Sequence, residues 1–291
     1  MLIISDLHYR CDTPAWRKEE DYAAQVLRPQ LASLLDTGEP VIVAGDVFHR
    51  SADFAATYDL FTFLKERGAV LYATRGQHDM TYHNESMVRT GVNLLVAAGL
   101  IVPLGSDPMP IRGKGVCGMG WGEEVPKEGT DILIAHVSVS HGDAVIPSAT
   151  PATAFRQKAT AFEKVFTGDN HKRFALSETG FMGLWNAGCF HQMSADLADQ
   201  RPIAWRVDLA GKVGVFEIPF TPPMIDESYA LSKHKGKTVA GAEFVKALAE
   251  ARNQGSADIF MNTLRAAAGE STGETKVLLN ECVKKCEECH T

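Results

Sequence analysis

The sequence predicts an α/β protein built on a parallel-type sheet. Three short apolar runs, at residues 2–4, 41–44 and 69–74, have the length and composition of buried strands. A helical segment follows each run, and alternation of short buried strands with helices is typical of parallel sheets. Polar residues come directly after each run, at the carboxyl end of the strand, where open α/β sheets bind their ligands. One edge of the sheet is therefore expected to carry the functional site.

Apolar spacing predicts the helices that connect these strands. Residues 18–36 have apolar side chains at helical spacing, and Pro29 lies inside the segment, so we expect a kink or a break there. Ser51 is placed to cap a second helix that runs to about Arg67. A third helix is expected over residues 84–98. The predicted buried face of the second helix consists of Phe54, Tyr58, Phe61 and Leu64.

Two further apolar runs in the second half also predict buried strands. Residues 131–135 end directly before His136, and residues 164–167 end directly before Gly168. Gly211 and Lys212 lie between two strand-like runs, which predicts the turn of a hairpin. The other expected elements are short β segments within 101–121, a loop at 137–153, a helix at 154–161, and antiparallel strands at 181–187 and 203–218.

A domain boundary is predicted at the proline-rich residues 219–223. Residues 1–222 form the predicted α/β domain, and residues 223–291 form a small helical C-terminal segment. Short amphipathic helices need a surface to bury against, so this segment is a candidate element for docking to a partner. Its predicted helices are 239–252, 257–268 and 274–288.

Composition and charge narrow the class of protein. No run of about 18 apolar residues is present, so no membrane span is expected. The chain begins in a predicted strand without a signal peptide, and its six cysteines form no disulfide framework, which favours a cytoplasmic protein. The net charge of −7 argues against strong unaided binding to duplex DNA. It does not exclude a nuclease, because bound divalent metals add positive charge.

Five strand ends carry residues of the types that bind metal ions. Side chains alternate along a strand, so Asp6 and His8 are expected to point the same way. A carboxylate and an imidazole that emerge together suit a divalent metal. Taken alone, a helix-capping aspartate beside an incidental histidine explains this pair equally well. Recurrence after four later apolar runs favours the metal interpretation. The five ends are Asp6/His8, Asp46, Gln77/His78/Asp79, His136 and Asp169/His171.

These motifs resemble the calcineurin-like metallophosphoesterase superfamily, whose pattern runs D-x-H, G-D-x-x, G-N-H-D, G/A-H and G-H-x-H. Within it, residues 45–49 (GDVFH) are similar to the G-D-L-F-H of SbcD-like DNA nucleases, and residues 186–189 (NAGC) to their N-P-G-S. The serine/threonine phosphatase branch carries G-D-x-x-D-R-G, whereas His49-Arg50-Ser51 stands there in this chain, which disfavours a protein phosphatase. The compact size is similar to that of phage-encoded members.

The resemblance implies a four-layer α/β/β/α sandwich that holds two divalent metal ions, most readily Mn²⁺, with Mg²⁺ as the alternative. Asp46 is the natural bridge, because a carboxylate can bridge two metals and an imidazole cannot. His78 is then the implied general acid, and Asp79 would orient its ring. The implied ligands are Asp6, His8, Asp46 and His171 for one metal, and Asp46, Gln77, His136 and Asp169 for the other.

Two implied ligands depart from the family pattern. Gln77 replaces the usual asparagine, and its amide oxygen reaches one methylene further. Asp169 replaces the usual first histidine of G-H-x-H, which exchanges a nitrogen ligand for an oxygen and adds negative charge. Both changes make the second site harder and favour Mn²⁺ or Mg²⁺ over softer metals.

Four further residues are candidates for contact with the substrate. His49 is placed to touch a phosphate, although a hydrogen bond within its own loop is an equally good interpretation. His83 is placed to line the site, and capping of a helix is the alternative. Lys172 and Arg173 follow His171 and are placed to meet DNA phosphates at the rim, or else form an ordinary solvated pair.

The function that the resemblance implies is metal-dependent hydrolysis of DNA. We expect a 3′–5′ exonuclease, with single-strand endonuclease activity as a further expectation, that works in DNA recombination, repair or replication. An SbcC-type ATPase is the expected partner, with residues 223–291 as the docking element, and a homodimer is also expected. The first alternative is a phosphodiesterase or phosphatase for nucleotides or other small esters. The second is a non-catalytic scaffold whose metal sites have decayed.

Overall fold

The computed structural model describes residues 1–81, 89–144, 146, 148–177, 179–220 and 222–225. These residues belong to one compact unit, Met1–Ile225. His83 and the predicted helices beyond residue 225 lie outside the described residues. No described helix is long and apolar enough to cross a membrane.

The described chain forms two six-stranded sheets and one pair of two-residue strands. The strands, in chain order, are β1 (Leu2–Ile4), β2 (Val41–Ala44), β3 (Leu71–Thr74), β4 (Ile101–Pro103), β5 (Met109–Ile111), β6 (Lys114–Met119), β7 (Ile132–His136), β8 (Val139–Ser140), β9 (Thr150–Pro151), β10 (Lys164–Gly168), β11 (Phe174–Leu176), β12 (Gly183–Asn186), β13 (Ile203–Val207) and β14 (Val213–Glu217). The α-helices are α1 (Arg28–Leu35), α2 (Phe54–Glu66), α3 (Gly91–Ala97) and α4 (Ala152–Lys158).

Each large sheet has a parallel centre. The first sheet has the order β14-β13-β1-β2-β3-β4, in which β1 to β4 run parallel and the β13–β14 hairpin joins β1 in antiparallel fashion. The second has the order β11-β12-β10-β7-β6-β5, with β12, β10, β7 and β6 parallel. The prediction that β12 belongs to an antiparallel pair is half right. It pairs with β10 in parallel and with β11, which was not predicted, in antiparallel fashion.

The two sheets pack face to face between layers of helix. Leu2 and Ile4 face a core that includes residues of α2 and the first helical segment, whereas Ile3 faces a core shared with Ile134 and Phe166 of the second sheet. A third core lies between the other face of the second sheet and α4. The predicted α/β/β/α sandwich is confirmed. Strands buried on both faces are the physical reason for the continuous apolar runs in the sequence.

Pro29 lies where the hydrogen-bond pattern of the helical segment changes, as expected of a proline inside it. A π-helical turn at Ala23–Leu27 leads directly into α1, and Pro29 lies in the first turn of α1. Proline has no amide to donate to the preceding turn, so a regular α-helical pattern cannot continue through this position. The helical segment begins later than the predicted residue 18.

The cap and the buried face of α2 both differ from the prediction. Asp53, not Ser51, caps the helix, and its side chain accepts a hydrogen bond from the Ala56 amide at 3.0 Å. Phe54 and Tyr58 are 82% and 63% exposed. The residues that α2 buries are Ala56, Thr57, Leu60, Phe63 and Leu64. These residues also recur at helical spacing, so the sequence contained two apolar stripes, and packing on the sheet selected the one with smaller side chains.

The predicted helix at 84–98 does not run unbroken. Thr90 has an extended backbone and caps α3, and its side chain accepts a hydrogen bond from the Asn93 amide. Residues 82–88 lie outside the described residues. Helix α4 begins two residues before the predicted start of 154.

Candidate metal centre

The candidate site lies where the carboxyl ends of strands from both sheets meet. The first sheet contributes the residues after β1, β2 and β3, and the second contributes the end of β7 and the residues after β10. Gly168 of β10 is paired with His136 of β7, which sets the ends of these two strands level. The residues brought together at this edge are Asp6, His8, Asp46, Gln77, His78, His136, Asp169 and His171.

Four of the site residues have left-handed backbone conformations. The φ angles are 50° at Asp6, 43° at His8, 48° at Asp46 and 76° at Asp169. Strand β1 ends at Ile4, so sharp local turns, and not strand alternation, bring Asp6 and His8 together. Such conformations are unfavourable for residues other than glycine and cluster at functional sites that the surrounding fold holds in place.

Glycines allow the loops of the site to approach one another closely. A Cβ atom on Gly76 would lie 2.0 Å from Asp46 Oδ1, and one on Gly45 would lie 2.1 Å from His136 Nδ1. Gly168 has the same role, since a Cβ there would lie 2.1 Å from the Ala44 carbonyl oxygen. The space that metal ligands from different strands need is therefore obtained by omitting side chains at these positions.

One group of metal-binding side chains consists of Asp6, His8 and His171. His8 Nε2 lies 3.2 Å from His171 Nε2, and His171 Nε2 lies 4.0 Å from Asp6 Oδ1. Asp46 Oδ2 lies 3.5 Å from His8 Nε2. Asp6 and His8 are fully buried, whereas His171 is half-buried at the rim. These are the four residues that the resemblance implied for the first metal.

A second group consists of Asp6, Asp46 and His136. Asp46 Oδ2 lies 3.4 Å from His136 Nε2, and Gln77 Oε1 lies 2.5 Å from the same nitrogen. Gln77 Nε2 donates a hydrogen bond of 2.6 Å to Asp169 Oδ1. All four residues implied for the second metal thus meet here. The resemblance implies Asp6 as a ligand of the first metal alone, whereas the structure also includes Asp6 in this second group of side chains.

Backbone groups fix the orientation of several of these side chains. The Ala44 carbonyl lies 2.8 Å from His136 Nδ1, which makes this nitrogen the donor and directs Nε2 at Asp46. The amide of Asp169 donates to Asp6 Oδ1 at 2.9 Å, and the amide of His78 donates to Asp46 Oδ1 at 2.8 Å. The Asp169 amide also lies 3.2 Å from Asp6 Oδ2, so it contacts both oxygens of Asp6, whereas the His78 amide contacts only Oδ1 of Asp46.

The electrostatics of the site are dominated by buried carboxylates. Burial by itself lowers the pKa of His136, but the carboxylates of Asp46 and Asp6 outweigh it and raise the pKa to about 10. Burial likewise raises the pKa of Asp46, yet the neighbouring His136 makes the net shift a lowering. Burial and the charge of His171 lower the pKa of His8 well below its usual value. Burial raises the pKa of Asp6, so Asp46 is the carboxylate that its neighbours hold in the charged form, beside a neutral His8. Carboxylate and neutral imidazole groups are ligands for a cation.

Orphaned polar atoms and ligand separations fit bound metal ions. Asp46 Oδ2 is buried and has no hydrogen-bond partner among the described residues. Two ligands about 2.1 Å from one ion at tetrahedral or octahedral angles are separated by about 3.0–3.4 Å. The nitrogen atoms of His8 and His171, 3.2 Å apart, match that separation. Carboxylate, imidazole and amide oxygen ligands suit Mn²⁺ or Mg²⁺.

His78 lies beside the first group, but Asp79 does not orient it as predicted. The Asp79 carboxylate instead accepts hydrogen bonds from three backbone amides, those of Val47, Phe48 and Gly76, at 3.0–3.2 Å. Burial and the charge of Asp46 raise the pKa of Asp79 to about 7. Asp79 therefore holds the loop after β2 against the loop after β3. The turn at Asp79 points its short side chain towards these three amides, and the sequence motif does not reveal that direction.

The ring of His78 is oriented by His49. His78 Nδ1 lies 3.0 Å from the His49 carbonyl oxygen, and the two rings are stacked with centroids 5.8 Å apart. Together with His8, these residues form a third group of nitrogen atoms close enough to share an ion. His49 thus lies at the site, and its contact with a substrate phosphate stays a prediction.

Two other predicted contact residues, Lys172 and Arg173, lie at the rim. Lys172 and Arg173 are exposed and directly follow His171. His83 lies outside the described residues. Sequence reasoning missed Gln200, whose side-chain amide donates to the His171 carbonyl at 2.8 Å, and the buried Asn170, which donates to the carbonyls of the β8 loop. Neither residue carries a local signal, because a single amide side chain after a turn is common in any loop.

Comparison with known proteins identifies the family. The model of the calcineurin-like phosphoesterase family matches residues 1–173. The chain belongs to this family. Members of the calcineurin-like phosphoesterase family use divalent metals, and the aspartate and histidine groups described above lie within the matched segment. No curated protein matches the sequence.

Two solved structures match part of the chain. One is a Staphylococcus aureus protein proposed to be a 5′-nucleotidase, solved with alpha-ketoglutarate. It has a TM-score of 0.43 and 13% identity, over 77% of this chain and 54% of that one. The other is the protein TT1561 of Thermus thermophilus, with a TM-score of 0.44 and 13% identity, over 75% of this chain and 98% of that one. The present chain therefore spans about half the length of the first structure.

Proposed function

We propose that this calcineurin-like phosphoesterase is a two-metal-dependent DNA nuclease of the SbcD-like type. It would hydrolyse phosphodiester bonds as an exonuclease, with endonuclease activity on single strands, in recombination, repair or replication of DNA. The observation that carries the proposal is the place of His49 next to His78, with ring centroids 5.8 Å apart. His49 is the residue at which the GDVFH segment resembles the nuclease branch and departs from the protein phosphatases.

The metals would be held by residues that the structure already brings together. Bound there, two divalent ions supply a polarised phosphate and an activated water. Asp46 is shared by both sites, because its Oδ2 atom lies within 3.5 Å of His8 and 3.4 Å of His136. The first ion would be held by Asp6, His8, Asp46 and His171, and the second by Asp46, Gln77, His136 and Asp169.

His78 is placed to give a proton to the leaving oxygen. Its Nδ1–H donates to the His49 carbonyl, which leaves Nε2 as the nitrogen that gives up its proton. The exposed position of His78 at the rim makes it accessible to a substrate bound from outside. When Nε2 has given up its proton, the hydrogen bond at Nδ1 keeps the neutral ring in the same tautomer and orientation.

His49 would contact the phosphate as a neutral group. Burial, together with the positive charges of Arg10 and His78, lowers the pKa of His49 to about 4. At neutral pH the imidazole is therefore uncharged and able to donate one hydrogen bond to a phosphate oxygen. A neutral donor adds no positive charge beside His78.

Partner and location are part of the proposal. The net charge of −7 means that the chain gains little from nonspecific attraction to duplex DNA, which is why we propose an SbcC-type ATPase that holds the DNA. Residues 223–291 are the proposed docking segment, and a homodimer in the cytoplasm is the proposed form. A chain truncated after residue 222 should lose binding to such an ATPase in a pull-down, and retained binding would eliminate the docking role.

The test is degradation of end-labelled DNA in the presence of Mn²⁺, with wild type beside His78→Ala. Degradation should disappear with a chelator and fall by about 10²-fold or more in the variant. Calorimetry should show that His78→Ala binds Mn²⁺ like wild type, because His78 is not among the proposed ligands of either metal. Wild-type degradation by the variant would remove His78 from the chemistry.

The acidic charge also favours a second candidate, hydrolysis of nucleotides or other small phosphate esters, since a small substrate needs no basic groove. Turnover of a small diester without any cleavage of DNA would select this candidate. Absence of turnover on both substrates, together with absence of Mn²⁺ binding, would select the non-catalytic scaffold. The close approach of Asp46 to His8 and His136 argues against that last outcome.

A further inference from the structure

A groove with a volume of about 860 Å³ opens beside the candidate metal centre. We name it the Arg201 groove. Strand β13 is antiparallel to β1, so its beginning at Ile203 lies at the edge of the sheet where β1 ends, and the same holds for the end of β14. The groove and the metal centre therefore share one edge of the sandwich. The lining residues used below are Arg173, Asp199, Gln200, Arg201, Glu217 and Phe220.

Gln200 connects the wall of the groove to the metal centre. Its side-chain Nε2 donates to the carbonyl of His171 at 2.8 Å, and its Oε1 accepts from the amide of Arg173 at 3.0 Å. A Cβ on Gly188 would lie 2.8–2.9 Å from all three of these groups, so the loops are packed tightly here. A ligand in the groove would therefore lie next to Gln200, the residue that is hydrogen-bonded to the backbone of His171.

The floor of the groove combines an aromatic ring with a guanidinium group. Arg201 lies over the ring of Phe220, with its guanidinium carbon 5.8 Å from the ring centroid. Arg201 is exposed and Phe220 is half-buried, and both line the groove. Flat π-faces and guanidinium planes are the surfaces on which nucleobases stack, with little dependence on the identity of the base.

The groove is lined by groups of both charges. Arg173 lies two residues after His171 and next to Lys172, and both Arg173 and Arg201 are exposed. Asp199 and Glu217 also line the groove, and their carboxylates can accept hydrogen bonds from exocyclic amino groups of a base.

We propose that the Arg201 groove binds the nucleobase of the nucleotide unit next to the scissile phosphate. Arg201 and Phe220 would stack on the base, and Lys172 and Arg173 would contact its phosphate. This inference rests on the proposed phosphodiester hydrolysis and specifies a nucleoside phosphate as the recognised unit. The unit can come from the end of a DNA strand or from a free nucleotide, and the experiment below separates these sources.

The experiment compares hydrolysis of the p-nitrophenyl ester of thymidine 5′-phosphate with that of bis(p-nitrophenyl) phosphate, both with Mn²⁺. In Arg201→Ala and in Phe220→Leu, the ratio of kcat/KM for the nucleoside ester to that for the simple diester should fall by about 10-fold. Arg67→Ala is a matched control, because the Arg67 guanidinium also lies over a phenylalanine ring, that of Phe63, at 5.0 Å. Its ratio should equal that of wild type.

A binding assay without turnover tests the Arg201 groove separately from the proposed hydrolysis. Thymidine 5′-phosphate and a short fluorescent single-stranded oligonucleotide are titrated separately into wild type and both groove variants. Weaker binding of both ligands in the variants supports a nucleoside site that free nucleotides and DNA share. Weaker binding of one ligand alone identifies that ligand as the source of the nucleoside phosphate. Unchanged binding of both ligands, or an unchanged kcat/KM ratio, would overturn the inference while leaving the metal-dependent hydrolysis intact. Failure of wild type to hydrolyse either ester would instead count against the proposed function.

Discussion

His8 Nε2 and His171 Nε2 lie 3.2 Å apart, although 163 positions separate the two residues in the chain. His8 follows a strand of the first sheet and His171 follows a strand of the second, so the packing of the two sheets creates this contact. One ring can donate a hydrogen bond to the other at this distance, and 3.2 Å is also the separation expected of two nitrogen ligands of one ion. The contact therefore places both nitrogens where they could bind the same metal ion.

Asp46→Asn should weaken both metal sites together. The Asp46 Oδ2 atom lies close to His8 on one side and to His136 on the other, so loss of the carboxylate charge affects both groups. We expect Mn²⁺ affinity to fall by at least about 10-fold and the stabilisation of the fold by Mn²⁺ to shrink accordingly. Calorimetry and thermal unfolding with and without Mn²⁺ measure this. Asp36→Asn, an exposed carboxylate paired with Arg67, is the control. Wild-type affinity in Asp46→Asn would exclude the bridging role.

Asp169→Asn should affect the second metal only. Asp169 accepts a hydrogen bond from Gln77 and lies 4.0 Å from His136, whereas His8 and His171 belong to the other group. Removal of the carboxylate charge should leave the first site intact and reduce the bound Mn²⁺ from two ions to one at a concentration that saturates wild type. Electron paramagnetic resonance of unbound Mn²⁺ counts the bound ions. A variant that still binds two ions with wild-type affinity would remove Asp169 from the ligand set.

Gly76→Ala should destabilise the protein even without metal. The new Cβ would lie 2.0 Å from Asp46 Oδ1 and 2.2 Å from the Asp46 amide nitrogen, so the loops after β2 and β3 must separate. A free energy of unfolding lower by about 1–3 kcal/mol is expected. Gly105→Ala is the matched control, since nothing lies within 4 Å of its Cβ position, and it should change stability by less than about 0.5 kcal/mol. Urea denaturation in the presence of a chelator measures the free energy of unfolding of both variants. Equal stabilities would mean that the loops adapt freely.

Glu19→Gln should cost stability in a pH-dependent way. Arg17 and Glu19 form a buried pair, with Nη2 and Oε1 2.5 Å apart. Burial raises the pKa of Glu19, but the hydrogen bonds from Arg17 outweigh it and hold the pKa below its usual value of 4.5. A carboxylate with a depressed pKa stabilises the fold above its unfolded-state pKa, and this contribution is lost as pH falls through the folded-state pKa.

The expected loss for Glu19→Gln is therefore about 3 kcal/mol at pH 7, because Arg17 is left buried without its partner, and it should shrink towards pH 3. Denaturant unfolding at both pH values measures it. Asp36→Asn breaks the exposed pair with Arg67 and should lose less than about 1 kcal/mol at pH 7. A pH-independent loss in Glu19→Gln would show that packing, and not charge, is responsible.

The residues that meet at this edge of the sandwich were predictable because each of them is tied to a local signal. Asp6, Asp46, His136 and His171 each follow an apolar run closely, and the carboxyl ends of parallel strands meet at one edge whatever the details of packing. The four-layer architecture was predictable for a related reason, since strands buried on both faces leave continuous apolar runs in the sequence. Asp6 and His8 lie together as predicted, but the predicted reason was wrong. Left-handed turns, and not strand alternation, bring the two together.

The face of α2 and the role of Asp79 were not predictable in the same way. Helical spacing allowed two stripes on α2, and only the sheet beneath it decided that Leu60 and Phe63 are buried while Phe54 and Tyr58 are exposed. Asp79 lies next to His78 in the sequence, yet its carboxylate turns to the amides of another strand end. Adjacency in sequence does not fix the direction of a side chain after a turn.

The sequence by itself determined the strand ends, the residue types that could bind metals and the alternation that produces the sandwich, because these depend on neighbours along the chain. Only the tertiary structure decided which nitrogen and oxygen atoms face each other, how Gln200 holds His171, and that Arg201 lies over Phe220 beside the metal centre. Those relationships join residues from different strands and loops. They exist only once burial of the apolar cores has brought the two sheets together.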